Sequence, residues 1–270
     1  MALEILRAES VSQAAGTLAG DDRAHFLAGG TFLVRAVTTG DGAIRKLVLA
    51  DGLGLDRIAL GDTVTIGSAV TMAEVAREPR LAYLAPVAES IGGPAVRNMA
   101  TVGGNLFARS PYGDFTVALL ALGAAVVSET LDGEEIADLE VFLRDGPKRG
   151  GIVRSVRFTA PPAGAFSYLK VTRKHPHGAS VLSIAALLPK TADKATGVRV
   201  AYGAMAPRPM RARAVEAALE GKVLDAAAIN AAAEVAAEGT APEDDPQASA
   251  WYRRTVLPVH LRRLLSGDAH

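Results

Sequence analysis

The sequence predicts an α+β protein in two parts, and three observations carry that prediction. Segments with strand pattern and segments with helical period alternate irregularly between residues 10 and 158. APPAG at 160–164, two prolines and a glycine, is the strongest punctuation in the chain. Beyond it three strand-like runs precede three helix-like runs, a segregation typical of an α+β unit with a three-stranded antiparallel sheet. We therefore expect one unit over 1–162 and a smaller unit over 163–270.

In chain order, SVSQAAGTLAG at 10–20 reads as a helix opened by Ser10 or Ser12 as N-cap. A short strand around His25–Ala28 leads into a Gly-Gly turn. Residues 31–38 form a further ordered segment, helix or strand. Runs 46–49 and 63–67 read as strands. Thr71 and Glu74 form a Thr-x-x-Glu capping box ahead of MAEVAR. A second helix is expected over 81–91. After NMATVGGN at 98–105 come a helix at 114–121, a β-like run at 124–128, an acidic mixed stretch at 135–142 and an alternating strand at 151–158. The smaller unit is expected to hold strands at 166–171, 180–188 and 197–202. Its helices are MRARAVEAALEGK, closed by Gly221; DAAAINAAAEVAAEG, closed by Gly239; and a last one from about Gln247 to Leu265, kinked or broken at Pro258.

Composition excludes several function classes. The 270 residues carry 29 basic and 29 acidic side chains, so no charged surface for nucleic acid is expected. No apolar run approaches the roughly 20 residues that span a bilayer. MALEILRAES lacks the basic-then-apolar pattern of a secretory signal, so a cytoplasmic protein is expected. There is no cysteine, so this chain offers no thiolates for an iron–sulfur cluster. His175 and His177 in HPH read as solvated loop histidines rather than as a metal pair, since no Asp, Glu or Cys stands at ligand spacing beside them. No metal site is expected.

The chemistry is concentrated in two Gly-Gly segments, AGGT at 28–31 and TVGGN at 101–105. Glycine takes positive φ without a Cβ clash and lets another group approach the backbone. Two such turns would present several N–H groups into one concavity, a setting for a ligand with two adjacent phosphates. Thr31 and Thr101 would add hydroxyls, and Asn105 an amide. Asp114, at the mouth of the following helix, suits a polar edge or ribose hydroxyl of such a ligand; it equally suits the role of helix N-cap. No GxGxxG stands between a strand and a helix, so a Rossmann fold is not expected.

AGGT, and IGGPAVRNMATVGGN with Asp114 behind it, resemble the two flavin-pyrophosphate loops in the FAD subunits of molybdenum hydroxylases, the family of xanthine dehydrogenase, carbon monoxide dehydrogenase and aldehyde oxidoreductase. FSYLKVTRKHPHGASVLSIAALL at 166–188, AYGAMAPRPMRARAVEAALEGK at 201–222 and DDPQASAWYRRTVLPVHLRRLL at 244–265 resemble the later parts of the same subunits, in the same order. The resemblance implies the two-subdomain FAD-binding fold of the vanillyl-alcohol oxidase (PCMH) type over 1–162, split near residue 55, followed by the family's C-terminal domain over 163–270. It implies that Leu27, Ala28, Gly29, Gly30, Thr31, Phe32 and Leu33 form the first cofactor loop, with Phe32 where the family often has Ser, Asp or His. The second would comprise Ala100, Thr101, Gly103, Gly104 and Asn105. Asp114 would be the carboxylate on FAD, Ile91 an apolar neighbour, Val153 a residue packing on the isoalloxazine, and Lys170 a cation approaching it. As bland alternatives, Ile91 and Val153 read as core residues and Lys170 as a solvated strand end.

The function implied is that of a non-covalent FAD-carrying electron-transfer subunit. Its partners would be an iron–sulfur (2Fe-2S) small subunit and a large subunit with molybdopterin and the molybdenum cofactor, the whole duplicated as a dimer of heterotrimers. No acid–base dyad stands out, so no catalytic residue is expected. A stand-alone FAD reductase of the same fold and a flavin-free assembly subunit are the alternatives. MAPRPM at 205–210 and the terminal helix are candidate docking surfaces.

Overall fold

The computed structural model describes residues 3–174 and 178–267. His175 and His177 lie outside them. The chain begins with β1 (Glu4–Arg7), a strand too short to show a period in sequence. There follow α1 (Val11–Gly20), β2 (Ala24–Leu27), α2 (Leu33–Thr38) and β3 (Lys46–Leu49). Ser10 caps α1, its hydroxyl accepting from the Gln13 N–H at 3.1 Å. The three strands form a parallel sheet in the order β1-β3-β2. A small core of Ala14, Ala15, Ala24, Val48, Leu55 and Ile152 lies against it.

The next elements are β4 (Ile58–Ala59), β5 (Thr63–Gly67), α3 (Met72–Arg77), a 3-10 segment Pro79–Leu84, α4 (Ala85–Glu89), α5 (Pro94–Arg97), α6 (Val102–Leu106), α7 (Asp114–Ala121), β6 (Ala125–Thr130), β7 (Gly133–Asp138), α8 (Leu139–Asp145) and β8 (Ile152–Thr159). The five strands make an antiparallel sheet, β4-β5-β8-β6-β7. The capping box on α3 is complete: the Glu74 N–H donates to the Thr71 hydroxyl at 3.2 Å, and the Thr71 N–H to the Glu74 carboxylate at 2.7 Å. The single helix expected over 81–91 is instead a 3-10 segment followed by α4. Leu81 leaves helical geometry (φ −107°, ψ 21°), and Pro86, which has no N–H to extend a ladder, sits in the first turn of α4. The acidic stretch 135–142 divides into β7 and α8 at Asp138, whose carboxylate accepts from the Glu140 N–H.

The remaining elements are β9 (Phe166–Thr172), β10 (Ser180–Leu187), β11 (Lys190–Thr191), β12 (Lys194–Ala195), β13 (Arg199–Gly203), β14 (Met210–Arg211), α9 (Arg213–Leu219), α10 (Ala226–Glu234) and α11 (Ala250–Ser266). The sheet β14-β13-β10-β9 has four antiparallel strands, not three. Met210 and Arg211, read in sequence as the start of a helix, pair with Tyr202 and Ala201, and α9 begins only at Arg213. Helix α10 ends at Glu234, well before Gly239; the following turns bring the Ala241 N–H to the Met205 carbonyl at 2.9 Å. The break expected at Pro258 does not occur, because α11 continues through it. The carbonyl that loses its partner belongs to exposed Arg254 and is open to water, while buried Leu257, Leu261, Leu264 and Leu265 hold the helix down on both sides of the proline.

This sheet is covered on both faces. Leu169, Val171, Leu182, Ile184, Ala186, Val200 and Tyr202 pack with residues of α9, α10 and α11. Phe166, Tyr168, Ala185 and Ala201, on the alternate positions, join the core of the preceding unit, which includes α7. Every residue of α7 is buried, so its apolar pattern runs all the way round. Helix α7 thereby fixes the four-stranded sheet relative to the two loops that precede it.

Candidate functional site

A cleft of about 730 Å³ opens between the parallel sheet, the segment 91–114 and the edge of β9 and β10. All residues singled out in sequence line it: Leu27 through Leu33, Ile91, Ala100, Thr101, Gly103, Gly104, Asn105, Asp114, Val153 and Lys170. They come from four separate regions of the chain.

The first Gly-Gly segment is a turn at the end of β2. Gly30 has φ +69°, the left-handed region that favours glycine. Gly29 is needed for a different reason: a Cβ there would lie 1.6 Å from the Met99 carbonyl oxygen, so the loop rests directly on the other Gly-Gly region. The N–H groups of Gly29, Gly30 and Thr31 have no acceptor among the described residues. Unbonded backbone N–H groups of this kind can bind an anionic oxygen. Phe32, 53% exposed, turns its ring to Tyr112 in an edge-to-face contact with centroids 5.5 Å apart.

The second Gly-Gly segment is not a turn. Gly103 and Gly104 belong to α6, which Thr101 caps. The Gly103 N–H donates to the Ser68 carbonyl at 2.8 Å, the Gly104 N–H to the Thr101 hydroxyl at 3.1 Å, and the Asn105 N–H to the Thr101 carbonyl at 3.1 Å. The expectation of two equivalent N–H cradles is therefore corrected. What this segment offers the cleft is side-chain oxygen: the Thr101 hydroxyl, and the buried Ser68 hydroxyl, which has no partner among the described residues.

Asp114 does not cap α7. The N-cap is Gly113, in left-handed conformation, and Asp114 occupies the first helical position. Its carboxylate is 5% exposed and takes the Lys170 ammonium at 2.8 Å and the Ser180 hydroxyl at 2.6 Å. Lys170 also donates to the Ser90 carbonyl at 2.9 Å. With its side chain 8% exposed, Lys170 is no solvated strand end. Buried charges survive only when paired and hydrogen-bonded, and these two are both. Beside them the Tyr168 phenol is pushed well above its usual range, by burial first and by the Asp114 charge second. Ile91 and Val153 are core residues that also form cleft wall, so the two readings of them coincide.

Sequence reasoning passed over Ser68, Tyr112, Phe107 and Gly151, which also line the cleft. Ser68, Tyr112 and Phe107 are marked only by their approach in three dimensions; Gly151 belongs to a further glycine pair, Gly150–Gly151, which also lines the cleft. Among the described residues no cluster of three or more His, Cys, Asp or Glu is arranged for a metal.

The donors fit FAD: free backbone N–H groups with the Ser68 and Thr101 hydroxyls suit a pyrophosphate, and an apolar wall beside a buried ion pair suits a ring system. Residues 1–160 match the FAD binding domain in molybdopterin dehydrogenase, and residues 167–267 match the CO dehydrogenase flavoprotein C-terminal domain. The chain belongs to the FAD-binding subunits of molybdenum hydroxylases. This FAD subunit is 28% identical to the carbon monoxide dehydrogenase medium chain of Afipia carboxidovorans, over 95% of this chain and 93% of that one. It is 26% identical to the glyceraldehyde dehydrogenase medium chain of Sulfolobus acidocaldarius, over 94% of each. In solved structures, the FAD subunit superposes on a chain of carbon monoxide dehydrogenase from Hydrogenophaga pseudoflava with a TM-score of 0.92 at 27% identity, covering 98% of this chain and 96% of that one. It is a subunit of an oxidoreductase, and its mixed fold is the one the sequence implied. No helix among the described residues is long and apolar enough to cross a membrane.

Proposed function

We propose that this subunit holds FAD non-covalently in the 730 Å³ cleft and relays electrons from an iron–sulfur subunit to an external acceptor. The observation that carries this reading is that one cleft is lined both by unbonded N–H groups, at Gly29, Gly30 and Thr31, and by the buried Asp114–Lys170 pair. The N–H groups, with the Thr101 and Ser68 hydroxyls, take the pyrophosphate. Ile91 and Val153 form an apolar wall for the isoalloxazine and exclude water from it. Lys170, held by Asp114 and Ser90, sets a fixed positive charge near the ring, which favours added electron density there. When bound, FAD supplies exchange between one-electron and two-electron carriers; the chain supplies binding, orientation and a fixed field.

In the same reading, residues 1–162 form the FAD-binding unit, in two subdomains divided near residue 55, and residues 163–270 the second unit. The partners are a 2Fe-2S small subunit and a molybdopterin large subunit, in a cytoplasmic dimer of heterotrimers. The relatives named as medium chains support a place in a multi-subunit enzyme. The absence of cysteine puts any cluster on a neighbouring chain.

The test is purification alone and with co-expressed partners. The chain alone should bind one FAD, released by acid without covalent label, and should oxidise no organic substrate. Substantial substrate oxidation by the chain with no cysteine-bearing partner would replace this reading with a stand-alone flavoenzyme. A chain that takes up no FAD would replace it with an assembly subunit.

A further inference from the structure

Strand β10 contains a β-bulge. Ser180 pairs with Thr172 and Leu182 with Val171, leaving Val181 as the extra residue. The bulge matters because of side-chain phase. Leu182, Ile184 and Ala186 face the terminal helices, whereas Ala185 faces the core that contains α7. Strict alternation would put Ser180 on the face of Leu182, away from Asp114. An inserted residue reverses the phase. Ser180 consequently points at α7 and donates to the Asp114 carboxylate at 2.6 Å, fully buried.

The bulge has a dedicated support. The Val181 carbonyl accepts from Arg253 Nε at 2.7 Å. Arg253 lies on α11 and is 1% exposed. The rest of its guanidinium is occupied by the Glu243 and Ala248 carbonyls and by the Asp245 carboxylate at 2.7 Å. A fork held at this many points is a rigid strut, not a mobile charge.

We propose that Arg253 is a positioning residue for the redox site: it holds the Val181 bulge, the bulge aims Ser180 at Asp114, and Ser180 fixes the carboxylate that holds Lys170. The inference rests on the reading that Asp114 and Lys170 face the flavin. It makes the terminal helix, remote from the cleft in sequence, a determinant of the flavin's electrostatic surroundings. Ser180 acts by drawing charge from one carboxylate oxygen while Lys170 takes the other; without it, more negative charge faces the ring.

The experiment is a double-variant cycle on the full chain: Ser180→Ala, Arg253→Lys and both together. Readouts are FAD dissociation constant, midpoint potential of the bound flavin, and melting temperature of the apoprotein. Each single variant is expected to weaken FAD binding about tenfold and shift the potential to more negative values. The double variant should do no more than the worse single, because Arg253 acts through Ser180. Should Arg253→Lys not fold, Asp245→Asn, which releases one arm of the guanidinium, takes its place in the cycle with the same expectation. The proposal is overturned if the two effects multiply, or if the Arg253 or Asp245 variant lowers the melting temperature while FAD affinity and potential stay unchanged. Asp114→Asn and Lys170→Met separate the two levels. If they weaken FAD binding and Ser180→Ala does not, the positioning role fails and the site stands; if they too leave it unchanged, the reading of the site fails and the inference with it.

Discussion

The two Gly-Gly segments look alike in sequence and do different work. AGGT ends a strand in a turn, with Gly30 at positive φ and its neighbouring N–H groups unbonded. TVGGN is the first turn of a short helix, buried except at Gly104, with the N–H groups of Val102, Gly103, Gly104 and Asn105 all committed within the protein. A glycine pair thus has two unrelated uses: one leaves backbone N–H groups open, the other lets two pieces of backbone approach each other. Gly29 and Gly103 show the second use. A Cβ on Gly29 would strike the Met99 carbonyl, and one on Gly103 would lie 2.7 Å from the Ser68 Cβ and 2.9 Å from its carbonyl oxygen.

Substitutions can break this comparison in graded steps. Gly29→Ala carries the largest expected effect. Its Cβ has no room, so the first loop must lift from residue 99, and FAD binding should fall below detection in a fluorescence titration while the fold persists by circular dichroism. Normal FAD affinity in this variant would mean that the loops need not touch. Asp114→Ala comes next. It strands the Lys170 ammonium in the interior and should destabilise the apoprotein by about 3–5 kcal/mol. Adding Lys170→Met should restore much of that stability without restoring FAD affinity. A double variant as unstable as Asp114→Ala would show that the pair is not the unit that matters.

Gly103→Ala sharpens the contrast. Crowding against Ser68 should cost about 1–3 kcal/mol in chemical denaturation. Gly104→Ala should leave stability within about 0.5 kcal/mol, because its Cβ would meet only the Thr101 hydroxyl, at 3.0 Å, and yet weaken FAD binding about tenfold if this face meets the cofactor. Equal stability losses at both positions would erase the distinction. The smallest effect at neutral pH belongs to Tyr168. Its raised pKa means the folded state keeps a proton that the unfolded state releases above about pH 10, so stability should fall as pH rises through that value. Tyr168→Phe should flatten part of this alkaline slope and change nothing at pH 7; an unchanged slope would show that the phenol is not held in the protonated form.

Much of the fold was legible because it depends on local pattern. Strands at 46–49 and 63–67, the capping box at Thr71, and α7 beginning at Asp114 are written in neighbouring residues. What was misread depends on distant partners. The strand at Met210 exists because Tyr202 and Ala201 present an open edge, and Pro258 is tolerated because buried leucines on both sides hold α11 in place. The helical state of TVGGN is of the same kind: Ser68 and Val70 take its N–H groups, and no spacing rule connects them.

The sequence by itself determined that a cysteine-free, charge-balanced chain carries the glycine pairs of AGGT and TVGGN, an acidic residue opening a helix, and a lysine on a later strand. Those are properties of residue type and order. Tertiary structure decided which glycine pair keeps its N–H groups unbonded, whether Asp114 caps a helix or holds Lys170, and which way Ser180 points. Each of these depends on the partner that occupies a polar group, and partners are brought together by the packing of α7 against β10 rather than by separation along the chain.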